Sequence, residues 1–101
     1  MELPATPELL AISRRIIWFE DPMVSLSQPL RFLAYAMRYA THEDMKIIRS
    51  HITDDEFREA LRTVPPGIVD PRSWCYWHVR MGIFPPPPLP ERRMGEPALR
   101  R

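Results

Sequence analysis

The chain has 101 residues, enough for one domain with a modest core. Its 45% hydrophobic and 27% charged residues are ordinary for a globular chain and argue against wholesale disorder. A formal net charge of +1 excludes the strong field that would by itself announce nucleic-acid or membrane binding.

Thr6 before Pro7 is an N-cap and first-turn pair, so a short helix is expected over Pro7–Arg14. The apolar run Ile16-Ile17-Trp18-Phe19 follows; with no period-two partner elsewhere, it reads as an extended strap over helices rather than a strand. Pro22 and Pro29 bracket an irregular stretch. Beyond it, Leu30, Leu33, Ala34 and Met37 recur at the spacing of one helical face. A second stripe of Phe32, Tyr35, Ala36 and Tyr39 leaves only Arg31 and Arg38 as a polar strip, so this helix should be central or partly covered by another chain.

Thr41 with Asp44 resembles a capping box in which the acid is one carbon short, and opens a helix with Met45 and Ile48 inward that ends near Ser50. Thr53 with Glu56 is a full box, and Phe57, Ala60, Leu61 and Val64 form the stripe behind it, up to Pro65-Pro66-Gly67. Asp70-Pro71 repeats the cap-then-proline signal; Trp74, Trp77, His78 and Met81 then share a face before the stop at Gly82. Of the 13 prolines, five fall in Pro85–Pro90, where an extended polyproline rod is expected, with Glu91–Arg101 loose behind it. The fold class is therefore all-α: a small bundle of four to five short helices over residues 1–84, with a proline-rich extended tail over 85–101.

The lone Cys75 excludes an internal disulfide, and neither Leu9–Ile12 nor Ile16–Phe19 is long enough for a signal core or a membrane span. A cytoplasmic protein without membrane contact is expected. Cys75 and His78 have the spacing of half a zinc site, but the second ligand pair is missing, so a packed thiol and an ordinary histidine are preferred. A Cys–His nucleophile would need an oxyanion site, and only three glycines are available to build donor-rich loops. The acidic groups Glu43/Asp44 and Asp54/Asp55/Glu56 are explained by capping and the helix dipole. No phosphate loop is present; no enzyme, metal, cofactor or small-molecule substrate is expected.

Helices over Glu43–Ser50 and Asp54–Thr63 have helix-turn-helix spacing, which keeps a small DNA-binding regulator as the alternative. Against it, a recognition helix opening Asp54-Asp55-Glu56 would meet phosphates with negative charge. Protein contact is the preferred reading. Trp74, Tyr76 and Trp77 are favoured interface anchors, although core packing competes for them. The expected partner-binding residues are Tyr35, Tyr39, Trp74, Tyr76, Trp77 and Arg80, joined by Pro87, Leu89, Pro90 and Arg92, whose spacing matches a polyproline ligand with a trailing cation. The same proline segment could instead strap onto the chain's own aromatics.

In pattern, the chain resembles small bacterial proteins encoded beside nucleotidyltransferase toxins of the AbiEii abortive-infection class. The resemblance rests on Ile17-Trp18-Phe19, Leu30-Arg31-Phe32-Leu33-Ala34, Met37-Arg38-Tyr39, Glu43-Asp44, Phe57–Leu61, Pro65-Pro66-Gly67, Arg72-Ser73-Trp74, Tyr76-Trp77 and Pro87–Arg92. It departs at Ala40, where members commonly carry glycine. It implies an antitoxin-like partner that neutralises a toxin which would add nucleotides to an RNA acceptor end.

Overall fold

Helix starts in this chain are written in side chains that can stand in for a missing backbone acceptor. In the computed structural model, which describes residues 2–90, Thr6, Asp21, Thr41, Thr53 and Asp70 each accept a backbone N–H at a helix N-terminus. Six helices result, with no strand among the described residues: α1 Pro7–Ile16, α2 Pro22–Leu26, α3 Pro29–Tyr39, α4 His42–Arg49, α5 Asp54–Arg62 and α6 Pro71–Arg80. Proline opens α1, α2, α3 and α6, where its missing N–H costs no intrahelical bond.

Two expectations change. The apolar run is no extended strap: α1 continues through Ile16, Ile17 caps it and is fully buried, and a turn carries Trp18 and Phe19 outward. The stretch between Pro22 and Pro29 is not irregular either. Asp21 caps α2 by accepting the Met23 N–H at 2.8 Å, and Ser25 and Leu26 are buried beneath it.

The central helix is α3, packed against α1, α2, α5 and α6, while α1 also meets α4. Both stripes of α3 contribute to the core: Phe32, Leu33, Ala34, Ala36 and Met37 are buried. Around them lie Leu9, Ile12, Ile48, Phe57 and Leu61, all essentially without solvent contact. Burying such side chains contributes roughly 1.5–3 kcal/mol each, which is what offsets the cost of ordering helices too short to stand alone.

Gly82, with φ +81°, ends α6 as an αL cap: its N–H donates to Val79 O at 3.0 Å, and the Ile83 N–H reaches back to His78 O at 2.8 Å. The chain then turns through a cis Phe84–Pro85 bond. From there the prolines lie on the bundle, because Leu89 packs against the core and the Pro87 carbonyl accepts a hydrogen bond from Trp74. The expected loose segment 91–101, including Arg92, lies outside the described residues.

Candidate partner-binding surface

The two α6 tryptophans are committed to the chain's own backbone. Met37 O is among the last four carbonyls of α3, which have no intrahelical donor, and the Trp77 Nε1–H supplies one at 3.0 Å. The indole leans on buried Phe57 at 5.1 Å between centroids and takes Tyr76 edge-on at 4.9 Å. Trp74 donates its own N–H to Pro87 O at 2.7 Å and packs 4.1 Å from the His78 ring. His78 Nδ1 lies 2.8 Å from Trp74 O; a carbonyl only accepts, so that nitrogen carries the proton. Trp74 is thus a core residue, 6% exposed, on the side of core packing in the competition between core and interface anchor. Trp77 is half-buried, whereas Tyr76 and Arg80 are exposed and linked, Arg80 Nη1 donating to the Tyr76 hydroxyl at 2.9 Å.

A second aromatic surface is more exposed and less committed. Trp18, 79% exposed, meets Phe19 edge-on at 5.6 Å; Phe19 meets Tyr35 at 6.0 Å; and Tyr35 stacks along α3 on Tyr39 at 6.5 Å. Phe19 and Tyr39 are each about half exposed, at 54% and 52%. Neighbouring cations brace the strip: the Arg31 guanidinium sits 5.2 Å over Tyr35 and the Arg38 guanidinium 5.1 Å over Tyr39. Arg31 is itself held by Glu20 at 2.7 Å, and Ser25 Oγ donates to the same carboxylate oxygen at 2.6 Å. These two bonds, Arg31 first, hold the Glu20 carboxyl below its usual range. The turn that carries Trp18 and Phe19 is thereby fastened to α2 and α3.

Trp18 and Phe19 were not among the residues expected to bind. The available signal was positional: the α1 stripe Leu9, Ile12, Ile16 uses up the inward face, and the Asp21-Pro22 cap forces a turn just before it. Of the proline residues, Leu89 and Pro90 are half-buried and Pro87 is exposed with its carbonyl engaged by Trp74.

One ion pair, between an exposed Arg15 and a buried Asp44, ties the first helix to the fourth. Arg15 donates twice to Asp44, at 2.8 and 2.6 Å, and Asp44 also accepts the Thr41 N–H at 3.2 Å. The bidentate Arg15 contact holds the Asp44 carboxyl down at about 2, with the Thr41 bonds adding to it against the cost of burial. Glu56, one carbon longer, reaches the Thr53 N–H at 2.8 Å, so the shorter acid makes the longer cap bond while serving two helices.

Among the described residues no three His, Cys, Asp or Glu side chains gather as metal ligands would, and Cys75 is exposed. The exposed side of α5 carries Asp54, Asp55 and Glu59, with Arg58 bonded to Asp55 and Arg62 to Glu59, a poor match to a phosphate backbone. No helix is long and apolar enough to cross a membrane among the described residues. No protein-family model, no curated protein and no solved structure matches this chain.

Proposed function

We propose that the chain is an antitoxin-like binding protein that neutralises a nucleotidyltransferase partner by protein–protein contact, and that it carries out no chemistry of its own. The observation that carries the binding half is the four-ring strip Trp18–Phe19–Tyr35–Tyr39, in which Trp18, Phe19 and Tyr39 are exposed around a half-buried Tyr35, in a domain that has buried most of its other large apolar residues. Aromatic rings with two torsions lose little entropy when docked, and rings already braced by Arg31 and Arg38 lose less. Contiguous exposed apolar surface of this kind marks interaction sites in soluble proteins. The nucleotidyltransferase identity of the partner draws on the resemblance of segments running from Ile17 to Arg92 and on nothing in the geometry.

Neutralisation by occlusion requires only that the strip seat this domain over the partner's acceptor cleft. The test is co-expression with the product of the adjacent reading frame, followed by co-purification and a nucleotidyl-transfer assay. A stable complex with transfer suppressed is the expected result, and Trp18→Ala with Tyr39→Ala should weaken it by about 2–4 kcal/mol. A double variant that bound and neutralised like the parent would remove the strip from the interface. Failure of the parent chain to bind would remove the proposal.

A further inference from the structure

A groove between α4 and α6 has different chemistry from the aromatic strip. Two adjoining hollows of about 400 and about 310 Å³ share His42, Met45, Tyr76 and Trp77, so they form one continuous channel along the helix pair. Its floor is apolar and held by the core. Trp77 is pinned by Phe57 and by its bond to Met37 O, while Met45 and, at one end, Met37 show only an edge to the groove, each 4% exposed within the core.

The rim is cationic. Lys46, Arg49 and Arg80 border the larger hollow and Arg72 the smaller, against the single carboxylate of Asp54. That carboxylate is taken by Arg49 at 2.8 Å. Lys46 has only a loose approach to Glu43, at 3.8 Å across exposed side chains; Arg80 spends its bond on the Tyr76 phenol; and Arg72 forms no ion pair among the described residues. Three positive groups therefore face the groove without a carboxylate held in contact below 3 Å, on a chain whose total charge is only +1.

We infer that the α4/α6 groove receives an acidic peptide segment of the partner protein, its aliphatic side chains seated on Trp77 and Tyr76 and its carboxylates on Lys46, Arg72 and Arg80. The inference rests on the reading of this chain as a partner-binding protein but uses a surface separate from the strip. Charge complementarity selects the occupant. A nucleic-acid strand fits less well, since Trp77, backed by Phe57 and edged by Tyr76, is a floor rather than a free stacking platform for bases.

The test uses the full chain and two probes at low salt: a short fluorescein-labelled peptide of leucine and glutamate, and a labelled oligouridylate of similar length. Fluorescence anisotropy should show saturable peptide binding, weakened about tenfold or more in K46E/R72E and unchanged in Tyr39→Ala. Thermal melting of the charge-reversed variant, expected to match the parent, confirms that the fold persists. Absence of peptide binding, tighter binding of the oligouridylate, or an unaltered affinity in K46E/R72E would each overturn the inference. Peptide binding without capture of the adjacent-frame nucleotidyltransferase would overturn the partner assignment and leave the groove standing; capture of that protein without peptide binding would do the reverse.

Discussion

Helix α6 and the strip from Trp18 to Tyr39 are both rich in aromatics, yet the chain treats them differently. On α6 each indole N–H has a backbone carbonyl to satisfy, Met37 O for Trp77 and Pro87 O for Trp74, and each ring is backed by another side chain. Along the strip Trp18, Phe19 and Tyr39 stand about half or more in water, and only Tyr35, half-buried, is packed on the core. A tryptophan's apolar area does not decide whether it builds the core or meets a partner. The destination of its N–H, and what lies behind the ring, decide it.

That contrast can be broken experimentally. The largest effect is expected from Trp74→Ala, which empties a buried site and frees the Pro87 segment: a loss of about 3–5 kcal/mol by urea denaturation, and a strip-like response of under about 0.5 kcal/mol would refute the core assignment. Next comes Asp44→Ala, which strips Arg15 of its partner and α4 of its cap, at about 2 kcal/mol near neutral pH. Because the Asp44 carboxyl is held at about 2, below its ordinary 3.8, its stabilisation is complete above the unfolded value and is lost as pH falls through about 4 toward 2. The stability difference between parent and variant should therefore shrink across that window; a constant gap would mean the ion pair contributes nothing.

Trp77→Phe keeps most of the packing but orphans Met37 O, so a loss of about 1 kcal/mol is expected, with greater fraying at the α3 C-terminus in hydrogen exchange. Smallest is Trp18→Ser, within about 0.5 kcal/mol of the parent, since the ring it removes is mostly in water. A destabilisation above about 2 kcal/mol would show the strip to be structural.

What could be read in the sequence was what depends on neighbours along the chain. Thr6-Pro7, Thr41/Asp44, Thr53/Glu56 and Asp70-Pro71 act within one turn, so four helix starts, and the inward faces behind the last three, were legible. Helix α2 was missed because five residues do not complete two turns and show no period, although Asp21-Pro22 is the same cap signal that marked α6. The Ile16–Phe19 run was misread because a helix end and a strand are alike over four apolar residues; only the packing of Ile17 inward and Trp18 outward separates them. Arg15 to Asp44 and Trp77 to Met37 span 29 and 40 positions, distances over which no local pattern assigns a partner. The candidate strip shared this fate in part: Tyr35 and Tyr39 came from the α3 stripe, while Phe19 and Trp18 joined them only through the turn.

The three tryptophans sit at three depths, one in solvent at the strip, one half-covered on the groove floor and one sealed under the proline segment. The protein therefore carries its own set of optical reporters, each placed in a different environment. In variants keeping a single tryptophan, a soluble quencher should reach Trp18 freely, Trp77 partially and Trp74 hardly at all. Shielding of Trp18 alone would mark a ligand on the strip, shielding of Trp77 alone would mark one in the groove, and sudden exposure of Trp74 would register the proline segment lifting away.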